Sequence, residues 1–505
     1  MSTHFYGKVT YLKVILVAIT LLPLLCSLSI AIRDACTRCR CGLSIAMIVQ
    51  RRFSLRSVCC KRLLSVLLIF SLFVCVLSVG VMASSLENVV HVATEAELWA
   101  TVNSAQSGVS MVIALDGDIS LSEPLVISAL KHITLISNDN DAGFRLVGAS
   151  DAATIVVKAG GVLDLDGIIV SHTQNAYGRG IEINSGGTLT LVAGKISGNT
   201  VNWAGGGGVL NDGSFIMSGG EISGNTASWV GGGVYNSYNG RFSLLGGEIS
   251  CNNASLEGGG VCNYGGFSMF GGVVSRNICH DGGGVYNNGN FSLLGGEISG
   301  NMATKGGAVC NYFNGYFELL DSGMITNNTA DIGGGVCTDC PFSMFGGVIS
   351  GNVAGNQGGG VYVGAGLFEL FSGRISNNTA SNSGGGIWIA VENLGNLFVH
   401  GNTIFSNNRA SMAYDRSSVH DEIYHMCVGA DIVWTEPFMQ GYNNYDISYI
   451  SGTQVPDTQP PSSPTLSPRS SSSLSIYFSV IIFLILVGIA LIILLLILKR
   501  YIIKN

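Results

Sequence analysis

The chain has 505 residues, 70 of them glycine, and a formal net charge of −7 at pH 7. The glycine share is about twice the usual fraction and has no period of three, which excludes a collagen-type helix. The charge is segregated: residues 1–85 hold ten Lys/Arg and one acid, whereas residues 86–451 hold eleven Lys/Arg and thirty acids. The central region therefore offers no basic stripe to a nucleic acid.

From the N-terminus, the apolar runs Val9–Ile32 and Leu63–Ala83 are each long enough to cross a bilayer. The loop between them carries Arg33, Arg38, Arg40, Arg51, Arg52, Arg56, Lys61 and Arg62, which places it in the cytoplasm and everything after Ala83 outside. Residues 63–84 also read as a signal peptide, with Lys61-Arg62 before the apolar core and Val81-Met82-Ala83 near a cleavage point. Met47 is an alternative start, and both readings export the rest of the chain. Cys36, Cys39, Cys41, Cys59 and Cys60 fit no zinc spacing and read as free or acylated thiols.

Residues 86–179 open with "ATEAELWATVNSAQSG", Ala93–Gly108, a helix with Thr94 as N-cap and Leu98, Val102 and Ala105 on one face. Strand-like runs follow at Met111–Leu115, Ile133–Ser137, Thr154–Lys158 and Leu163–Ser171. They read as about three irregular coils of a solenoid beneath a helical cap, which shields an otherwise open sheet edge.

Residues 180–408 repeat one sentence nine times at intervals of 24 to 29 residues, most clearly as "GGGVYNNGNFSLLGGEISGN", Gly282–Asn301. One column holds Ile181, Val209, Val234, Val261, Val285, Val309, Val336, Val361 and Ile387. A second holds Leu189, seven Phe from Phe215 to Phe368, and Leu397. A third runs from Ile196 to Ile404, and three residues after each of its members stands Asn, from Asn199 to Asn407. Short alternating strands separated by Gly and Asn turns predict one three-sided coil per copy, with the columns filling the interior.

The Asn column is expected to form a ladder, because an amide donates at one end and accepts at the other. A partial second ladder (Asn211, Asn236, Asn263, Asn287, Asn311) gives way to Thr338, Val363 and Ile389, while Asn288 reads as a surface position. The Gly runs before the Val column read as turns with positive φ or close backbone approach. Cys310 and Cys337 lie in adjacent copies, which puts their Cα atoms within disulfide range.

After the repeats, residues 409–451 read as a C-terminal cap, 452–473 as an exposed Pro/Ser-rich spacer, 474–498 as a membrane anchor and 499–505 as a basic cytoplasmic tail.

"GGGV" and "GGAV" followed by an Asn-containing turn resemble the repeats of right-handed parallel β-helix surface proteins, namely the polymorphic outer-membrane proteins and adhesin-like proteins. The N-terminal part is similar to the start of pectate-lyase-like solenoids. Over residues 88–408 the resemblance implies an all-β, right-handed parallel β-helix of about 12 coils, here with flanking transmembrane helices. It implies no particular activity, because one fold hosts many functions. The reading departs from the outer-membrane proteins in expecting a helical anchor at 474–498 in place of their C-terminal membrane barrel.

The leading functional expectation is a membrane-anchored cell-surface protein that binds a glycan or a surface protein. The alternative is a polysaccharide lyase or hydrolase, which needs clustered carboxylates. Glu221 and Glu248 share a column with Lys195 and Glu297, but the column continues as Met324, Val348 and Arg374, as a solvated face does. Asp164 and Asp166 sit two apart on one strand; His172, His280 and His400 are scattered. The column Tyr235, Tyr286, Tyr362 and Trp388 presents rings to sugars or shields a sheet face. Asn253, Asn290, Asn327 and Asn377 begin glycosylation sequons. No catalytic, cofactor-binding or metal residue is assigned.

Overall fold

The computed structural model describes residues 89–455, apart from 139–142, 150, 174–175, 203, 415–426, 429–431, 439 and 449–453. The apolar runs near the two ends of the chain, the Cys-containing loop and the basic tail lie outside the described residues. No described helix is long and apolar enough to cross a membrane.

Each repeat closes one coil, because its short strands alternate inward apolar and outward polar residues and pair only with the same strands of the next copy. Val234 faces Val261, Phe242 faces Phe267 and Ile249 faces Val274, all in parallel register. The product is an all-β parallel β-helix of about 12 turns. Its Val column runs along an 11-stranded sheet, and its Phe and Ile columns share a 22-stranded sheet.

The interior is built by stacking like on like. Seven Phe rings from Phe215 to Phe368 lie face to face, with centroids 4.5 to 5.0 Å apart. That spacing is the strand separation itself, so the rings meet wherever the backbones pair. The glycine runs serve the same close stacking. Gly258 has φ +65°, and a Cβ on Gly259 or Gly260 would lie 2.6 or 2.7 Å from the carbonyl oxygen of Gly283 or Gly284 in the next coil.

The Asn ladder is continuous. Each Nδ2 donates to the Oδ1 of the next coil, from Asn199 to Asn225 at 2.8 Å through Asn301 to Asn328 at 3.0 Å and on to Asn378 and Asn408 at 3.2 Å. The second proton of Asn301 goes to the carbonyl of Val274 at 2.9 Å, and its Oδ1 also accepts the backbone N–H of Asn277. Every polar atom of the buried amide is thereby satisfied. The second ladder ends where Asn311 donates to Thr338, whose hydroxyl donates to the carbonyl of Cys340 at 2.6 Å. A hydroxyl that spends its one proton on a local carbonyl needs no further rung, so Val363 and Ile389 can follow.

The main ladder has polar groups at both ends. At its start His172 Nδ1 lies 3.0 Å from Asn199 Oδ1, and Nε2 lies 2.9 Å from the carbonyl of Ala152. At its finish Asn408 donates at 3.0 Å to Asp446, which also accepts from the Thr435 backbone and hydroxyl and from Asn443. Asp446 is fully buried, and burial pushes its carboxyl above the usual carboxylate range against the pull of these donors.

Several expectations are corrected here. In the last copy the buried positions are Phe405 and Asn408, not Ile404 and Asn407. One extra residue sits in the corner between Leu397 and Phe405, and a one-residue slip exchanges the two faces of a strand. A short fourth strand follows the Asn turn in several coils, such as Thr226–Ala227 and Thr379–Ala380. Its inward column is small (Ala227, Ala254, Ala330, Ala354, Ala380), which is why hydrophobic patterning did not reveal it. Asn288 is nearly buried and accepts the backbone N–H of Asn314 at 3.1 Å. Gln454–Val455, placed in the exposed spacer, pair antiparallel with Ala413–Tyr414; Pro456 biases Val455 towards extended backbone.

At the N-terminal end, helix α1 (Glu95–Ser104) begins in a capping box between Thr94 and Glu97 and buries Leu98 and Val102 in the core. At the other end Val433 pairs with Ile404, Ile447 pairs with Ile387, and Trp434 stacks on Phe405 at 5.1 Å. Ile447 thus extends the Val column out of sequence order.

Removing one rung strands its neighbours' polar atoms, at about 1 to 3 kcal/mol each. Asn301→Ala is therefore expected to lower the melting temperature of the full chain clearly, whereas Asn253→Ala, at an exposed position, stays within about 0.5 kcal/mol of wild type. Phe291→Ala, in the middle of the ring stack and fully buried, is expected to cost about 3 to 5 kcal/mol in a denaturant titration.

Candidate functional site: an aromatic and acidic outer face

From Tyr235 onward the outward residue of the Val strands is either a ring or a thiol: Tyr235, Cys262, Tyr286, Cys310, Cys337, Tyr362 and Trp388. Sequence reading placed this column on an open face, but Cys262, Tyr286, Cys310 and Cys337 are at most 1 % exposed. Side chains from both sides close over them.

The closing residues sit at a constant offset of seven within each coil: Glu257 with Tyr264, Asp281 with Asn288, Lys305 with Tyr312. Val230, Glu257, Asp281, Lys305 and Ile332 pair in succession along one flank. Tyr264, Asn288 and Tyr312 follow the second Asn ladder along the other, their backbone N–H groups bonded to the preceding coil. The thiols are small enough for the flanks to meet above them. Tyr264 donates its hydroxyl to Glu257 at 3.1 Å, and Lys305 Nζ lies 5.6 Å from the centroid of the Tyr312 ring. Tyr286, Cys262 and Cys310 form an apolar cluster outside the coil, against which Val230, Tyr235, Tyr264 and Tyr312 pack.

The electrostatics follow from this partial burial. Burial, with Asp281 nearby, pushes the Glu257 carboxyl up, while hydrogen bonds from Tyr264 and Tyr286 pull it back. Burial raises the Tyr235 hydroxyl to about 12 and the Cys262 thiol well above its ordinary range, so the thiol is protonated and weakly nucleophilic. Tyr238 packs edge-on against Tyr264 at 5.0 Å, and Tyr235 does so at 5.7 Å, giving a corner of rings beside Glu257. Further along, Tyr362 and Trp388 stack at 4.4 Å.

The other candidates are dispersed. Asp164 is bonded to His132 at 2.8 Å on the outer face of the N-terminal coils, and Asp166, two residues on, shares that face. Glu221 pairs with Lys195 at 3.0 Å, and Glu248 with Arg276 at 2.8 Å. His172 belongs to the Asn ladder, His280 pairs with Asp281 at 2.7 Å, and His400 stacks on Phe371. Among the described residues no three His, Cys, Asp or Glu converge as a metal site would require. Cys310 and Cys337 are register neighbours and both are free thiols. The sequon residues Asn253, Asn290, Asn327 and Asn377 are all exposed, whereas the adjacent Asn252, Asn328 and Asn378 are buried ladder rungs.

The flanks of this face are not legible in the repeated columns because their residues change type from coil to coil (Val230, Glu257, Asp281, Lys305, Ile332); the constant seven-residue offset is the signal that marks them. If closure of the flanks buries Tyr286 as described, Tyr286→Ala should destabilise by about 3 kcal/mol or more. Tyr238→Ala, at a ring 71 % exposed, should change stability by less than about 1 kcal/mol, with both read from denaturant melts. No family model, curated protein or solved structure matches this chain.

Proposed function

We propose that this protein is an adhesin-like binding rod, anchored to a cell membrane by residues 474–498 and displaying its β-helix outside the cell. The observation that carries the reading is the face along the Val strands, where rings and carboxylates are held in register over successive coils. Such a face makes many weak contacts along one axis and gains affinity through multivalency. Catalysis needs a few groups fixed around one bond. The charge segregation supports the orientation, with basic residues gathered in the loop 33–62 and in the tail.

A second reading rests on Asp164, His132 and Asp166, whose carboxylates and imidazole on one outer face could serve a polysaccharide lyase or hydrolase.

The two readings separate on a glycan and surface-protein array run beside a lyase and hydrolase panel with calcium present. Retention without cleavage is the expected outcome. Turnover of any polymer that is lost in Asp164→Asn would put the enzyme first. Protease treatment of intact cells checks the orientation: the repeats should be digested while a C-terminal tag stays protected.

A further inference from the structure

We infer that the corner of Tyr235, Tyr238 and Tyr264 beside Glu257 receives a lysine side chain of a partner polypeptide. This rests on the reading of the rod as a binding module and names the chemistry of its partner.

The first observation is the protein's own use of the arrangement. Two coils further along, the same two flank positions hold Lys305 and Tyr312, with the ammonium 5.6 Å from the ring centroid. This face therefore already seats an alkylammonium group against a tyrosine face, the contact expected of a cation with a ring quadrupole.

The second observation is charge. In the Tyr264 coil the lysine position is taken by Glu257, half-buried and, among the described residues, without an ion-pair partner. Asp281 is its neighbour along the flank, and Asp212 accepts from Ser237 and Asn239 close by. A carboxylate in this setting gains from a cation that displaces little of its existing bonding: its two oxygens offer about four acceptor positions, of which the Tyr264 and Tyr286 hydroxyls use two. The third observation is access. Tyr238 is 71 % exposed, and its ring meets Tyr264 at 69°, so the two present an open angle to solvent. An ammonium entering that angle meets ring faces and a carboxylate together.

The test measures binding of the full chain to hexalysine and to hexalysine acetylated on every side chain, at low and moderate salt. Four proteins are compared: wild type, Glu257→Gln, Tyr238→Ala and Glu221→Gln. The inference expects hexalysine to bind and the acetylated peptide not to. It expects Glu257→Gln and Tyr238→Ala each to weaken binding by about tenfold. Glu221→Gln, which removes one negative charge from a distant outer column, should leave affinity unchanged. Tyr238→Ala keeps the test open should Glu257→Gln perturb folding. Equal weakening by all three variants, or by none, would show general electrostatic attraction and overturn the site. Binding of a chitosan oligomer but not hexalysine would overturn the choice of partner. If no cationic probe binds but the array above returns a ligand, the inference fails and the binding-rod reading stands; failure of both assays removes the reading itself.

Discussion

The head-to-tail geometry of the carboxamide governs this fold. A buried amide in the Asn199-to-Asn408 column is satisfied only if the next coil presents an acceptor at one strand spacing and the previous coil presents a donor. A coil shifted by one residue breaks the chain of bonds and leaves polar atoms stranded in a low-dielectric core. The ladder therefore fixes register more strictly than the aliphatic columns, which tolerate exchange of Ile and Val. Its direction is fixed as well. One end needs a donor and the other an acceptor, and His172 and Asp446 occupy those ends.

That requirement links the two ends of the solenoid to its interior. Asp446 lies in a segment that returns to the Val sheet after Cys427, Val428 and Val433 have already paired with the other sheet. The return brings in Ile447 as a further member of the Val column and brings an acceptor-only group to the last rung. Thr338 solves the same problem differently within the second ladder. Its hydroxyl accepts from Asn311 and spends its proton on a local carbonyl, so that ladder ends inside the rod without a charge.

With the interior committed to identical stacks, variation is confined to the outer positions, and there it is organised by the same period. Small thiols are interspersed with tyrosines along one column, and the residues on either side close over the thiols. Half-burial of Glu257 and Tyr264 is a consequence of that closure rather than of a cavity. The resulting surface is a row of partly desolvated rings and carboxylates.

The sequence by itself determined the coil, its columns, the two amide ladders and the helix over the first coil. Each of these rests on local periodicity or on a capping motif, such as Thr94 with Glu97, that one strand or one turn expresses alone. The tertiary structure decided what depends on neighbouring coils or on the order of segments in space. Phe405 replaced Ile404 because stacking on Ile375 and Trp434 outweighs sequence spacing. Asn288 became buried because the loop of the next coil folds onto it. The cysteine and tyrosine column was covered because side chains seven residues apart in one coil meet above it. Asp446, 38 residues beyond Asn408 in sequence, became the end of the ladder because only the folded return of the chain brings a carboxylate to the last amide.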